Sequence, residues 1–430
     1  MLHLILNTIL YIFGKLSSLL TALCTHWSVY ALVGLFTTRR FPKARRQHRL
    51  AIVVAARNEA AVIGNLLESI RRQDYPAELV TVFVVADNCT DDTARVARSH
   101  GAVCYERHDP ARRTKGYALQ FLFRQIERDY GTDAFEAYIV FDADNLLKRD
   151  FLSRMNEAFD AGEQIVTSYR NTKNFADNWI SASYAIHWLR TVRLEHRARS
   201  VLGLATRIQG TGFLFSSALV KNGWNYTSLT EDRAFSADAV AAGYSISYCD
   251  AAQFYDEQPT TLPVALRQRL RWAKGHLQAF TETGGKLLKN VIASGSVTTA
   301  FMSYDMFCIV APRALLSIFK HLLQLLFPFV LWLVLGEPFG AVTAALLAVA
   351  AAVATRYLEN ILAAAYVFIS ERRRIPPMPL RKKLRFALTF PIFDIIGRAA
   401  TFLALFRRVE WKPIPHDSAV TIDDLEPITK

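Results

Sequence analysis

Several short groups of acidic and basic residues in this 430-residue chain have the types and spacing to act on a phosphorylated and hydroxylated ligand. In Phe141-Asp142-Ala143-Asp144 two carboxylates stand at i and i+2 directly after an apolar run. On a strand-to-loop turn such a pair can divide its work, one toward a ribose and one toward a hard divalent cation bridging phosphate oxygens. A solvated turn would use the same residues. Thr230-Glu231-Asp232 marks the expected start of a helix running to Gly243 and is preceded by Gln209-Gly210-Thr211-Gly212-Phe213. Asp232 could take a proton from a hydroxyl; equally, Thr230 could cap the helix, with the acids favoured by its dipole. In Gln268-Arg269-Leu270-Arg271-Trp272, Arg271 could neutralise a diphosphate, Gln268 could hold it and Trp272 could stack on a ring. A surface-lying helix with an interfacial Trp would look similar.

These groups need a scaffold, and residues 50 to about 285 read as one. Leu50 to Ala56, Val80 to Ala86 and Tyr138 to Phe141 are short apolar runs alternating with helical patterns such as Ala60 to Arg72. Strand, helix, strand implies an α/β fold with a doubly wound, mainly parallel sheet, whose ligands bind beyond the carboxyl ends of the strands. There the chain carries Ala56-Arg57-Asn58-Glu59 after the first strand and Asp87-Asn88-Cys89-Thr90-Asp91-Asp92-Thr93 after the second. Neither has the Gly-rich turn of a dinucleotide or P-loop site. A carboxylate at a strand end can bind a base or ribose, while Thr90 or Asp91 can equally cap a helix.

Apolar residues make up 52% of the chain and are bunched at both ends. The run Leu16 to Phe36 is long enough to cross a bilayer at about 20 residues, and Leu2 to Gly14 is either a second span or an interfacial segment. Arg39-Arg40 to Arg49 follows, which places the chain from residue 40 onward in the cytoplasm. Toward the C-terminus, Ala314 to Leu335 and Phe339 to Ile369 read as two spans, and Leu384 to Phe406 as an imperfect third that crosses or re-enters. Arg356, Glu359, Asp394 and Arg398 lie within these runs and must face protein or pair. The divisions expected are therefore 1–38 and 286–406 in the membrane, 39–285 as the catalytic domain and 407–430 as a cytoplasmic tail. Net charge is +13, but the basic clusters flank apolar runs, which fits anionic lipid and topology better than a nucleic-acid partner. Five scattered cysteines without metal spacing imply a reducing compartment.

The order Asp87, Asp142-Ala143-Asp144, Thr230-Glu231-Asp232 and Gln268 to Trp272 resembles the family 2 glycosyltransferases, in particular membrane-integrated synthases related to cellulose, hyaluronan and poly-N-acetylglucosamine synthases. The resemblance spans roughly residues 48 to 285 and implies a GT-A fold. It implies that Ala55, Arg57, Glu59 and Asp87 surround a uracil, and that Asp142 and Lys115, in Thr114-Lys115-Gly116, sit beside the nucleotide. By the same resemblance Asp144 holds Mg²⁺ or Mn²⁺, Gln268 and Arg271 hold the diphosphate, and Asp232 is the base. Gly210, Thr211, Gly212, Glu231 and Trp272 would line the acceptor site. The chain departs from the family where Ala56 and Arg57 replace the usual Pro and Tyr, and where Ala86-Asp87-Asn88-Cys89 replaces Asp-Asp-Gly-Ser.

The implied activity is inverting transfer from a UDP-sugar, UDP-N-acetylglucosamine or UDP-glucose, to a growing β-linked polysaccharide at a bacterial cell membrane. A membrane lipid is the alternative acceptor, and a non-catalytic membrane scaffold the reading from another class. Trp179 to Leu204 and Leu262 to Phe280 would be interfacial helices at the bilayer surface.

Overall fold

The computed structural model describes residues 2–426, apart from 337, 413, 415 and 417. At its centre are strands β1 (Leu50–Ala56), β2 (Val80–Asp87), β3 (Val103–Arg107), β4 (Ala137–Asp142), β5 (Leu146–Leu147), β6 (Ile165–Thr172), β7 (Phe213–Ser216) and β8 (Ser247–Asp256), in the order β3-β2-β1-β4-β7-β6-β8-β5. Strands β3, β2, β1 and β4 run parallel, as expected. β7 is antiparallel to both β4 and β6, while β6 and β8 pair in parallel. Strand β1 is apolar throughout because successive side chains leave opposite faces and both faces are covered. Leu50, Ile52 and Val54 pack in one apolar layer, with helices Ile63–Arg71 and Phe151–Asp160, and Ala51 and Val53 in the other, with helix Lys115–Tyr130. The carboxyl ends of β1, β2 and β4 consequently open at one edge of the sheet.

Helix α1 spans Leu2–Leu23 and α2 spans His26–Phe36, so the apolar run Leu16 to Phe36 is broken at Cys24-Thr25. The break has a cause in α2, which docks on protein. His26 and Trp27 bond to Asp305 at 2.9 and 2.8 Å, and a Cβ at Gly34 would lie 2.0 Å from the Arg193 carbonyl oxygen. The remaining helices are α3 (Ile63–Arg71), α4 (Thr93–Ser99), α5 (Lys115–Tyr130), α6 (Phe151–Asp160), α7 (Trp179–Thr191), α8 (Arg197–Val201), α9 (Glu231–Ala241), α10 (Leu262–Ala293), α11 (Val297–Val310), α12 (Arg313–Leu335), α13 (Gly340–Ser370), α14 (Leu380–Phe406) and α15 (Ile422–Leu425). Among the described residues four stretches are long and apolar enough to cross a membrane: His3–Phe36, Arg313–Val334, Gly340–Ser370 and Leu380–Phe406. The third C-terminal run is thus one continuous helix, with Pro391 inside it. Its charges pair as they must: Asp394 holds Arg356 at 3.3 Å and Arg398 at 3.1 Å.

One boundary and one helix's surroundings differ from the expectation. Helix α10 continues through residue 285, and Met302, Met306 and Ile309 of α11 enter the core beneath the sheet. Within Trp179 to Leu204, α7 is covered on nearly every side, with Tyr184, Ile186 and Leu189 packed against Phe386, Phe390 and Phe393 of α14. It is buried nearly all round, Ser181, Ser183 and Thr191 included, because it lies between two protein layers rather than on an open surface. Polar clamps join those layers. Tyr169 of β6 donates to Glu371 at 2.9 Å, Glu371 also pairs with Arg193, and Arg374 reaches Asp250 of β8 at 2.8 Å.

Candidate active site

One cleft at the strand ends collects thirteen of the fifteen residues singled out from sequence: Ala55, Arg57, Glu59, Asp87, Lys115, Asp142, Asp144, Gly210, Glu231, Asp232, Gln268, Arg271 and Trp272. Thr211 and Gly212 do not reach it, although Gly210 beside them does. The Thr211 hydroxyl accepts from the Asp142 amide at 2.9 Å and bonds Asn145, so it braces the turn from behind. Gly212 has φ +64°, and a Cβ there would lie 2.2 Å from the Phe254 ring. Only glycine fits such a contact in that conformation.

Asp87 is buried and fully engaged: Arg57 pairs with one carboxylate oxygen and Arg107 with the other, at 2.5 Å. The Arg57 guanidinium also lies 4.3 Å from the Trp411 ring centroid. Arg57, which replaces the expected Tyr, therefore ties the first strand end to the second and to the C-terminal tail. Asn58 and Asn88 adopt φ of +57° and +51°, a conformation Asn tolerates better than most residues. Asp91 braces this corner, accepting from the amides of Ala60 and Thr93 at 3.1 Å, whereas Thr90 receives a bond from neither helix.

At the third strand end Lys115 pairs with Asp142 and donates to the Gly210 carbonyl at 2.8 Å. Burial works against the ammonium, yet Asp142 and Glu231 hold its pKa above the usual lysine value. Asp144 accepts from the Glu257 amide at 2.7 Å and from Asn145 at 3.2 Å. Burial opposes its charge, but His416 and Lys173 hold its pKa below the usual range. Beside it, burial pushes Asp256 up to about 6. One Asp256 oxygen is clamped by Arg170 and the other is buried with no hydrogen-bond partner among the described residues. Among those residues no three His, Cys, Asp or Glu side chains stand as a ready metal cage. Asp144 with the orphaned Asp256 oxygen instead offers the one or two carboxylates with which a hard cation is held when phosphates supply the rest.

Across the cleft, Thr230 occupies the N-cap of α9 but its hydroxyl makes no cap bond. It is pressed by α10, where a Cβ at Gly275 would come within 2.4 Å of that hydroxyl oxygen. This close approach fixes the first turn of α9 and with it Glu231 and Asp232. The Asp232 carboxylate has no hydrogen bond or ion pair among the described residues and faces the cleft. Burial raises Glu231 to about 7, with Lys115 opposing and Asp232 adding to the shift. On α10, Gln268, Arg271 and Trp272 line the cleft at i, i+3 and i+4, one helix face. Arg271 reaches the Leu229 carbonyl at 3.2 Å, and Trp272 meets the rings of Tyr184 and Trp188 edge-on at 5.7 and 5.4 Å. Arg269 points the other way, 3.8 Å from the Phe393 ring centroid.

The cleft also holds residues that no motif announced. Arg170, Arg207 and Arg233 come from separate elements, and Trp188 from α7. Trp411 and His416 come from the tail. His416 bonds both oxygens of Glu59 at 3.1 Å. Burial would lower its pKa, but Asp144 and Glu59 raise it to about 10.

Residues 48–275 match the profile described as "Glycosyltransferase like family 2", more than half of the chain. The chain belongs to that family. Among curated relatives it is 26% identical over 283 residues to the beta-monoglucosyldiacylglycerol synthase of Nostoc sp., covering 64% of this chain and 59% of that one. It is 25% identical over 234 residues to the poly-beta-1,6-N-acetyl-D-glucosamine synthase of Staphylococcus aureus, covering 53% and 54%. The chain thus spans a little over half the length of these relatives. The solved mannosyltransferase PcManGT from Pyrobaculum calidifontis, in complex with GDP-Man and Mn²⁺, aligns over 90% of this chain and 99% of its own at 20% identity, with a TM-score of 0.51. That likeness is one of fold, and bears out the GT-A architecture.

Proposed function

We propose that this glycosyltransferase moves a sugar from a UDP-sugar, UDP-N-acetylglucosamine or UDP-glucose first among them, to an acceptor presented at a membrane, with inversion at the anomeric carbon. The observation that carries the reading is the free Asp232 carboxylate, set in the same cleft as the strand-end acids and Lys115. In this reading Ala55, Arg57, Glu59 and Asp87 form the nucleotide end. Arg57 reaches a base by ring stacking alongside Trp411, since the Asp87 carboxylate is already held by two guanidinium groups. Lys115, Gln268 and Arg271 take up negative charge on the departing diphosphate, which stabilises it most where water is excluded. Mg²⁺ or Mn²⁺, if bound by Asp144 with Asp256, would screen the same diphosphate. Asp232 removes the proton of the attacking hydroxyl, and Trp272 with Trp188 gives the acceptor an apolar wall. Glu231, near its own titration point, holds Lys115 at 3.9 Å.

A growing β-linked polysaccharide is the first acceptor and a membrane lipid the second. The lipid is kept because one relative of equal similarity is named for a diacylglycerol product. The four long apolar stretches support a membrane setting, and the basic cluster Arg39 to Arg49 after the first of them supports a cleft on the cytoplasmic side; the membrane proposed is a bacterial cell membrane. The test is purified full chain with Mn²⁺ or Mg²⁺, a panel of UDP-sugars and sizing of the product. Large β-linked product supports the polymer, small lipid-soluble product the lipid, and no transfer from any donor overturns the reading.

A further inference from the structure

The cleft does not end at Asp232. Arg233 of α9, His276 of α10 and Arg207 line the same space. Asp232 acts electrostatically on both Lys115 and Arg233. Lys115 is matched by Asp142 and Glu231. Arg207 pairs with Glu195 at 2.9 Å. Arg233 and His276 have no hydrogen bond or ion pair among the described residues. Arg233 has the charges of Asp232 and Glu195 nearby but no direct partner for its forked donors, and a ligand oxyanion would supply one.

A second observation points the same way. Gln209, 5% exposed, lines this space, and both its amide oxygen and its amide nitrogen are buried without a partner among the described residues. The large majority of buried side-chain polar atoms are hydrogen-bonded, so an amide with both ends unpaired calls for an explanation. Glu195, which positions Arg207, comes from a π-helical turn, Val192–His196, a local widening found often at functional sites.

We propose that this part of the cleft is an anion site, built for an acceptor that carries a phosphoryl group beside its reacting end, with Arg233 as the principal contact and Arg207, His276 and Gln209 around it. The inference rests on the glycosyltransferase reading above and deepens it by naming the acceptor's charge. A forked guanidinium suits a tetrahedral oxyanion better than a neutral hydroxyl. The same cleft is lined by Trp188 and Trp272, with Tyr184 and Phe393 buried behind them. An amphiphile would place its headgroup at Arg233 and the first part of its chain against those two indole rings. We take the phosphoryl group to sit on such an amphiphile or on a soluble phosphate, which share the chemistry.

The experiment uses the full chain in nanodiscs and reads tryptophan fluorescence on titration with dodecyl phosphate, dodecanol and inorganic phosphate, with UDP plus Mn²⁺ titrated separately. The expected result is dodecyl phosphate binding at least roughly tenfold tighter than dodecanol, the scale of a charge-assisted contact. That advantage should vanish in Arg233→Gln, return in part in Arg233→Lys, and leave UDP affinity unchanged in both. Inorganic phosphate binding as tightly as dodecyl phosphate assigns the site to a soluble phosphate. Equal binding of dodecanol and dodecyl phosphate, or an advantage that survives Arg233→Gln, overturns the proposal. So does loss of UDP binding in Arg233→Gln, which would give the arginine to the donor. Failure of UDP to bind the unmodified chain would instead count against the donor reading.

Discussion

Glu231 should make the protein less stable as pH rises through neutrality, and replacing it by Gln should remove that loss. Its carboxyl is buried, and burial moves it from the ordinary value of 4.5 to about 7. Between these values the folded protein binds the proton and the unfolded chain does not, so stability falls with rising pH. Each pH unit across that window is about 1.4 kcal/mol, which gives up to about 3 kcal/mol lost by pH 8 relative to pH 4.5. For a domain of this size 1 kcal/mol moves the melting temperature by about 2 to 4 °C, so the term is about 6 to 12 °C. The assay is thermal unfolding of purified wild type and Glu231→Gln at pH 5 and pH 8. Other groups titrate too, so the quantity read is the difference between the two proteins in their pH 5 to pH 8 change. Wild type should lose several degrees more than the variant. An identical pH dependence in both would refute the claim that Glu231 is buried without adequate compensation.

Further tests address the packing that holds the site. Gly275→Ala should lower transfer activity by tenfold or more, because its Cβ would sit 2.4 Å from Thr230 and shift the turn bearing Asp232, whereas Gly285→Ala, with nothing within 4 Å, should be near neutral in steady-state kinetics. Trp411→Ala should weaken nucleotide binding by calorimetry about fivefold, since it removes a guanidinium-ring contact worth about 1 kcal/mol. Asp305→Ala should cost about 3 kcal/mol in denaturant unfolding, because Arg199, held at 2.7 Å and almost fully buried, would lose its nearer counter-charge and keep Glu195 at 3.7 Å.

The legible part of the site was the part carried by local spacing. Asp142 and Asp144, or Gln268, Arg271 and Trp272, lie within one turn or one helix face, and their pattern survives without the fold. Contiguity also misled: Thr211 and Gly212 follow Gly210 in sequence, yet only Gly210 faces the cleft because neighbouring residues point in different directions. Arg107, Arg170 and Arg207 were hidden because each meets its partner from a different element, and Arg233 because it meets no direct partner among the described residues; an isolated arginine carries no signal in sequence. Trp411 and His416 come from a tail more than 300 residues after Arg57 and Glu59, whose partners they are. The sheet was readable from apolar runs of strand length. The N-terminal helices were only half readable: hydropathy showed an apolar run, but the break at Cys24-Thr25 depends on Gly34 and Asp305, contacts that hydropathy does not report.

The central claim is that Asp232 is the base of a sugar transfer, and it is tested most directly by comparing wild type with Asp232→Asn. The measurement is the rate of nucleoside diphosphate release from the best donor in the presence of acceptor membranes, with nucleotide affinity measured on the same samples. The account predicts a fall of about 10² to 10⁴-fold in rate with affinity and melting temperature preserved, the range expected for loss of a general base. A variant that keeps its rate while binding nucleotide normally would contradict it.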